Sequence, residues 1–251
     1  MKNKALYSVA LMLAAVALVA ISVPVHASML DERIESSARQ SYVFKTYLKD
    51  DYIKIKSRDG AVTLTGIVSE NYHKSLAQDT VEGLPGVVQV DNRLEVKGAA
   101  PSANSDIWLR DKVKATLLFH SSVSSMTEVD VKDGIVTLRG DAASQAQKDL
   151  TTEYAMDIDG VKSVTNEMIV KTSVKARTVG EKIDDASITA QVKMTLLYHR
   201  STSAINTKVE TKLGVVTLYG KASNAAELNL ATKLANDVNG VKEVNNRMVI
   251  E

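Results

Sequence analysis

A seven-residue segment recurs three times and divides the chain into three similar units. The copies read Gly60-Ala-Val-Thr-Leu-Thr-Gly66, Gly134-Ile-Val-Thr-Leu-Arg-Gly140 and Gly214-Val-Val-Thr-Leu-Tyr-Gly220. In every unit a third glycine follows the first after 26 residues, and an asparagine stands six residues beyond it. These landmarks are Gly86 and Asn92, Gly160 and Asn166, and Gly240 and Asn246. A repeat in constant register predicts a fold of small tandem modules rather than one large domain.

The second unit shows the order of elements most clearly. Apolar residues recur every four positions along a first helix, which is expected to begin at Asp106 as its N-cap. They are Leu109, Val113 and Leu117. Alternating polar and apolar residues then predict a hairpin that turns at Asp133-Gly134 and whose return strand ends at Gly140.

A second helix is predicted from Ala143 to Ile158, with Gly160 as its C′ residue. Its apolar face would comprise Ala146, Leu150, Tyr154 and Ile158. The segment from Val161 to Val170 returns to strand character. Each unit is therefore αββαβ, and the predicted fold class is α+β, with a three-stranded sheet in each domain and two helices packed on one face.

The other two units repeat this pattern with different residues. In the third, the helical faces are Ile188, Val192 and Leu196, then Ala226, Leu230, Leu234 and Val238. In the first, they are Ile34, Ala38 and Tyr42, then Tyr72, Leu76, Thr80 and Leu84. The predicted domains are residues 28–97, 106–171 and 184–251, joined by linkers at 98–105 and 172–183, which are poor in large apolar residues.

The recurring glycines and asparagines are interpreted as structural. Gly60, Gly134 and Gly214 would supply positive φ in the turns, and the asparagines would make local backbone hydrogen bonds in or beside the last strand. The structural glycines are Gly60, Gly66, Gly86, Gly134, Gly140, Gly160, Gly214, Gly220 and Gly240.

The first 27 residues resemble a secretory signal peptide. Lys2 and Lys4 precede an apolar run from Ala5 to Val23, and small residues lead to a predicted cleavage site after Ala27. A permanent membrane anchor is the alternative, since a run of this length would just span a bilayer. Cleavage leaves 29 basic and 30 acidic residues and no second apolar segment. We expect a periplasmic protein without a transmembrane segment in its mature chain.

Composition excludes several classes of partner and modification. The near-neutral charge does not favour nucleic acid. The chain has no cysteine, so neither disulfides nor a lipidated cysteine is expected.

The repeat motifs resemble those of the BON-domain family. Its [DN]G-x-V-x-L-x-G hairpin is matched in the recurring segments, and its ending is matched by Leu84-Pro-Gly-Val-Val-Gln-Val-Asp-Asn92, Ile158-Asp-Gly-Val-Lys-Ser-Val-Thr-Asn166 and Val238-Asn-Gly-Val-Lys-Glu-Val-Asn-Asn246. The resemblance implies small αββαβ modules of bacterial envelope proteins, associated with phospholipid surfaces and envelope integrity under stress. It brings no enzymatic activity.

No catalytic, cofactor or metal site is predicted. Motifs such as G-x-S-x-G, a P-loop and a dinucleotide fingerprint are absent from the sequence. His120 and His199 stand in matching motifs at the expected ends of the first helices of units two and three. A metal site would need further converging ligands, so a favourable interaction with the helix dipole is the preferred interpretation.

One helix carries a candidate membrane contact. Around the first helix of unit two, apolar and basic residues lie outside the core face, a combination typical of interfacial binding to anionic lipid. The candidate lipid-binding residues are Trp108, Arg110, Lys112, Lys114 and Leu118, with Ile107 and Phe119 nearby. The alternative is that Trp108 and Phe119 complete the core or contact a neighbouring domain.

Two functions remain open at this point. The first is a non-enzymatic protein of envelope and osmotic stress that associates with anionic phospholipid surfaces. The second is a periplasmic holdase or adaptor that binds envelope proteins on an open sheet face or edge.

Overall fold

The computed structural model describes residues 23–98, 105–123, 127–171, 182–202 and 207–251. The first domain contains α1 (Val23–Gln40), α2 (Tyr42–Thr46), β1 (Tyr52–Arg58), β2 (Ala61–Val68), α3 (Asn71–Glu82) and β3 (Gln89–Val96). The second contains α4 (Asp106–Phe119), β4 (Glu128–Lys132), β5 (Ile135–Arg139), β6 (Asp141–Ala142), α5 (Gln145–Met156), β7 (Ser163–Asn166) and β8 (Ile169–Val170). The third contains α6 (Asp185–Tyr198), β9 (Thr207–Lys212), β10 (Val215–Ala222), α7 (Ala225–Asn236), β11 (Glu243–Asn246) and β12 (Val249–Ile250).

Each domain has the predicted α+β architecture. The first two strands form an antiparallel hairpin, and the third strand lies parallel to the hairpin's second strand. The third strand is continuous only in the first domain. In the other two it is split, so the predicted strand from Val161 to Val170 is observed as β7 and β8, both parallel to the preceding hairpin segment.

The turn glycines behave as predicted, with φ of 79° at Gly60, 80° at Gly134 and 81° at Gly214. Gly66 is required for a different reason, because a Cβ there would lie 1.9 Å from the carbonyl oxygen of Tyr52. β2 runs through Gly66, and β10 likewise continues past its matching glycine, so these glycines do not end the return strand in the first and third domains.

Gly160 is not the C′ residue of the second helix. The C-cap of α5 is Asp157, and Gly160 lies in a following turn in which the Val161 amide donates to the Ile158 carbonyl. Its φ of 97° explains why glycine is used there.

The three asparagines join the last strand to the second helix. The side-chain oxygen of Asn166 accepts from the Met168 amide, as predicted for a local bond, while its amide group donates to the Lys148 carbonyl and the Thr152 hydroxyl. Asn92 and Asn246 make the equivalent bonds in their domains. The asparagine of each repeat therefore links the last strand to the second helix.

An aspartate on the first helix of each domain anchors the hairpin turn. Asp106 accepts hydrogen bonds from the amides of Asp133 and Gly134 at 2.7 and 2.9 Å, and these bonds lower its pKa. The N-cap of α4 is instead Ser105, whose hydroxyl accepts from Trp108, so the predicted capping role of Asp106 is wrong. Equivalent aspartate contacts recur at Asp31 and Asp185.

The predicted faces of the first helices in domains two and three are buried. Two other helical predictions need correction. Ala146 and its counterpart Ala226 are exposed, because α5 and α7 turn Thr151 and Ala231 toward the core instead. In the first domain Tyr42 begins a separate helix, since Ser41 has extended ψ and its hydroxyl caps α2.

α6 contributes to two hydrophobic cores. Ile188, Val192 and Leu196 pack with the third domain, whereas Ala190 and Met194 belong to a cluster that runs through the first and second domains. The three domains are therefore packed around one helix.

The predicted signal peptide lies mostly outside the described residues, as do residues 99–104 and 172–181 of the two predicted linkers. α1 begins at Val23 and spans the predicted cleavage site. In the part of the chain that the structure describes, no helix is long and apolar enough to cross a bilayer.

Candidate functional site

α4, the first helix of the second domain, has three distinct sides. Leu109, Val113 and Leu117 face the core of their own domain, as predicted. The side that includes Ala115 and Phe119 is fully buried, with the Phe119 ring 5.5 Å from that of Tyr47 in the first domain. A third side is partly exposed. We call it the open stripe, and it comprises Ile107, Arg110, Lys114 and Leu118.

The open stripe follows one line along the helix, because its positions are three or four residues apart. Ile107 is 54% exposed, and the other three residues are partly buried. Arg110 pairs with Asp111 at 3.0 Å, and Lys114 pairs with Glu70 of the first domain at 3.4 Å. The stripe is thus apolar at both ends and carries partly compensated basic groups between them.

Two of the candidate lipid-binding residues lie beside this stripe rather than on it. Trp108 is half-buried, and Lys112 is only 8% exposed. The Lys112 Nζ lies 4.0 Å from the centroid of the Trp108 ring and 5.4 Å from that of Tyr198, and burial lowers the pKa of Lys112. Lys112 therefore joins α4 to the third domain, while Arg110, Lys114 and Leu118 are brought together on the open stripe.

The N-terminal part of the equivalent side of α6 is covered by α3 of the first domain. Its residues at the positions of Ile107 and Arg110 are Ala186 and Thr189, both buried. Gly83 at the end of α3 approaches so closely that an added Cβ would lie 3.2 Å from the Ala186 Cα. Lys193 pairs with Asp79 of α3 at 3.2 Å. Small residues on both helices permit this contact.

A further contact attaches the first domain to α6. Because Ser41 interrupts the helix, the amides at the start of α2 are free to bond elsewhere. The Tyr42 amide donates to Asp184 at 2.7 Å and the Val43 amide to the Ser187 hydroxyl at 3.0 Å. The broken first helix therefore satisfies its backbone on the third domain.

The second and third domains meet through a reciprocal pair of contacts. His120 and His199 are the C-caps of α4 and α6, as their predicted positions required, and both are buried. Each faces an aspartate that caps a helix of the other domain. His199 Nδ1 lies 2.8 Å from an Asp157 oxygen, and His120 Nδ1 lies 3.1 Å from an Asp237 oxygen but is poorly aligned for a hydrogen bond.

The backbone repeats this reciprocity. The Ser121 amide donates to the Asp237 carbonyl, and the Arg200 amide donates to the Asp157 carbonyl, both at 2.8 Å. The two domains are thus related by approximate two-fold symmetry at this contact. No cluster of three or more potential metal ligands is found among the described residues.

Asp237 has more partners than Asp157. It accepts from the hydroxyls of Tyr154, Ser121 and Ser122 and from the Ser122 amide. Burial opposes its ionisation, but the nearby His120 and hydrogen bonds from Ser122, Tyr154 and Ser121 outweigh burial and lower its pKa to about 2.

The Tyr154 ring stacks on that of His120 at 3.9 Å. Burial lowers the pKa of His120, against the raising effect of Asp237. At Asp157, burial is likewise outweighed by bonds from His199 and Ser201, which lower its pKa.

The aspartate contacts of the two histidines were not predicted from the sequence, although a signal was present. Asp157 and Asp237 each stand three residues before the third glycine of their unit, whereas Gly83 holds that position in the first unit. The histidines and aspartates are therefore present together only in the two units that pair reciprocally.

Comparisons with known proteins match this architecture. The model of the BON domain matches residues 30–98, 105–172 and 184–251. Osmotically-inducible protein Y of Escherichia coli K12 is 33% identical over 198 residues, which cover 77% of this chain and 95% of that protein.

Two further relatives cover less. Outer membrane lipoprotein DolP of Haemophilus influenzae is 30% identical over 45% of this chain and 56% of its own length. The 21 kDa hemolysin of Actinobacillus pleuropneumoniae is 28% identical over 62% of this chain and 72% of its own length. The resemblance inferred from the hairpin and Gly-Val-x-x-Val-x-Asn motifs is confirmed, and the chain belongs to the BON-domain family as a protein with three tandem BON domains.

Proposed function

We propose that this protein is a non-enzymatic envelope and osmotic-stress protein of the periplasm whose BON domains associate reversibly with anionic phospholipid surfaces. The observation that carries the proposal is the open stripe of α4, where Ile107 is exposed and Arg110 partly exposed, while the equivalent Ala186 and Thr189 of α6 are buried. Relatives named for osmotic induction and for the outer membrane support the same setting.

The open stripe has the chemistry of an interfacial contact. Ile107 and Leu118 lie about 16 Å apart along the helix axis, at a rise of ~1.5 Å per residue. Both can enter the boundary between headgroups and acyl chains while Arg110 and Lys114 meet lipid phosphates. The helix would then lie parallel to the bilayer surface.

The attachment is expected to be weak. Arg110 and Lys114 are already paired with the carboxylates of Asp111 and Glu70, which reduces their attraction to an anionic surface. Burial raises the pKa of Asp111, so a low-dielectric surface would further favour its neutral form and release Arg110 for phosphate. Weak contacts of this kind suit a protein that binds and leaves the membrane.

Export would remove residues 1–27 and make Ser28 the new N-terminus. We expect mass spectrometry of a periplasmic extract to find a chain that begins at Ser28. An intact chain in the membrane fraction would contradict this part of the proposal.

Vesicle flotation tests the lipid association. The mature chain should float with vesicles of equal parts phosphatidylglycerol and phosphatidylcholine and much less with phosphatidylcholine alone. Ile107→Glu should reduce flotation at least fivefold, because it places a carboxylate at the apolar end of the open stripe. The control is Leu197→Glu on α6, since Leu197 is 51% exposed and matches Leu118 in the repeat.

Equal flotation of wild type and Ile107→Glu would mean that α4 does not make the contact. Failure of the wild type to float at all would reject lipid association, and suppression of the aggregation of an unfolding envelope protein would then favour the holdase alternative.

A further inference from the structure

The outer face of the first domain's sheet carries a basic row. Successive outward positions of β1 are Lys54, Lys56 and Arg58, all exposed. Residues two apart on a strand are about 7 Å apart and point to the same side. The basic row therefore places three positive charges in a line on an open surface.

The charges of the basic row are not paired within the domain. Among the described residues, no ion pair joins any of the three to a carboxylate, whereas Arg93 on the far strand is paired with Asp91 at 2.7 Å. Arg58 lies near Asp31 and helps to lower the pKa of that carboxyl, after larger effects of hydrogen bonds from Ser57 and Gly60. Like charges at this spacing repel each other unless an anion lies against them.

An apolar end adjoins the basic row. Tyr52 is 62% exposed and lies opposite Ile67 in the register of β1 and β2, where Ile67 is 50% exposed. The Lys54 Nζ lies 5.2 Å from the centroid of the Tyr52 ring. An aromatic ring with a polar tip and an aliphatic neighbour are suited to a boundary between water and lipid.

The equivalent rows of the other two domains lack this character. In the second domain the matching residues are Glu128, Asp130 and Lys132, and Asp130 is paired with Arg139. In the third they are Lys208, Glu210 and Lys212, and Lys208 is paired with Glu210 at 2.7 Å. The fold itself therefore does not require a row of unpaired basic residues.

The edge of β1 is closed to an added strand near the middle of the basic row. The Ser57 amide donates to Glu35, and the Ile55 carbonyl accepts from Arg39, which is itself paired with Glu35. A peptide that extended the sheet would have to displace this pair. The face, rather than the edge, is the surface that a partner can use.

We propose that the basic row, with Tyr52 and Ile67, docks the first domain onto the anionic phosphates of a phospholipid bilayer. This inference rests on the proposed lipid association and adds a second contact to the open stripe of α4. A bilayer presents many phosphates with no fixed register, so it can match the row without a shaped pocket. Two tethered contacts would strengthen an attachment that is weak at each site.

The test replaces two residues of the basic row by their counterparts from the second domain. In the full mature chain, Lys54→Glu with Lys56→Asp should weaken partition onto vesicles of equal parts phosphatidylglycerol and phosphatidylcholine by about 30-fold or more. Lys54→Gln with Lys56→Gln should fall between this variant and the wild type. The matched control is Lys208→Glu in the third domain, which should partition as the wild type does.

The outcomes separate this inference from the proposed function. If the wild type partitions but both double variants partition equally well, the inference is overturned while lipid association stands. If the wild type does not partition, the proposed function fails and the inference with it. Binding to poly-glutamate that is lost in the double variants, with unchanged vesicle binding, would identify an acidic protein as the partner and also overturn the inference.

Discussion

α4 and α6 are equivalent helices in successive domains, yet their surroundings differ. Eleven of the fourteen residues of α6 are buried, against eight of fourteen in α4. Both end at a buried histidine that faces an aspartate of the other domain. The difference arises on the side where Ala186 and Thr189 of α6 replace Ile107 and Arg110 of α4.

This difference explains why α3 of the first domain packs closely on α6 and not on the same side of α4. α3 approaches α6 closely because Gly83 and Ala186 leave room for it. Larger residues at the same positions of α4 keep that side open. α6 therefore lies at the centre of the packed domains, whereas the open stripe of α4 stays partly exposed.

The largest expected effect concerns the feature that the two helices share. Asp237→Ala should lower the free energy of unfolding by about 3 kcal/mol, because it removes the acceptor of the Tyr154 and Ser122 hydroxyls and the carboxylate that faces the buried His120. Asp157→Ala should cost about 2 kcal/mol, since fewer groups depend on it. Equilibrium urea unfolding would measure both.

If the two substitutions have equal effects, the extra partners of Asp237 contribute nothing and the two ends of the contact are equivalent in energy as well as in geometry. Tyr154→Leu, which introduces the residue found at the matching position 234, should reduce the difference between them.

A second substitution removes the difference between the helices. Ala186→Ile gives α6 the isoleucine that α4 has at position 107. It should lower the free energy of unfolding by about 2 kcal/mol, because the added atoms meet the backbone of α3. The reverse change, Ile107→Ala, should alter stability by less than about 0.5 kcal/mol at its exposed position. Small-angle scattering should show an increased radius of gyration only for Ala186→Ile, as the first domain separates. An unchanged radius would mean that other contacts hold this domain.

The smallest expected effect is on the pH dependence of stability, which should differ between the contact of the second and third domains and the contact of the first domain with α6. The pKa of Asp237 falls from 3.8 to about 2 on folding. Its contribution to the free energy of unfolding is therefore complete above pH 4 and is lost as the pH falls toward 2. The pKa of His120 is also lowered, from 6.5, so acid favours the unfolded state below that pH as well. After allowance for solvent screening, the Asp237 contribution is about 1 kcal/mol.

The contact between α3 of the first domain and α6 has the opposite dependence on pH. Burial raises the pKa of Asp79, with Lys193 opposing it, so protonation of Asp79 relieves an unfavourable charge as the pH falls. Hydrogen exchange at low pH should therefore speed up at the amides of Ser121 and Arg200 before it does at Val43. Simultaneous loss of protection would show that the two contacts do not respond separately.

The sequence predicted the repeated parts of the fold better than the contacts between repeats. The regular spacing of apolar residues and glycines was sufficient to predict the hairpin turns and the buried faces of α4 and α6, because those features depend on neighbours in the same unit. The split third strand and the break at Ser41 were missed. At Ser41 a local hydroxyl cap competes with helix continuation, and contacts from Asp184 and Ser187 satisfy the amides that the break releases.

The candidate site was predicted in part. Arg110, Lys114 and Leu118 share a side with Ile107, as helical geometry implies, but the burial of Lys112 depends on Tyr198 of another domain. No pattern within the second unit could reveal that contact. The lipid role of these residues remains a prediction.

The division of α6 between two hydrophobic cores has a consequence for the way the molecule unfolds. Arrays of repeats in which each module keeps its own core can lose modules one at a time. Here the loss of the third domain would expose Met194 and Ala190, and with them the interior shared by the first two domains. Unfolding of the third domain is therefore expected to expose apolar surface of the other two, so damage to this module weakens the whole protein.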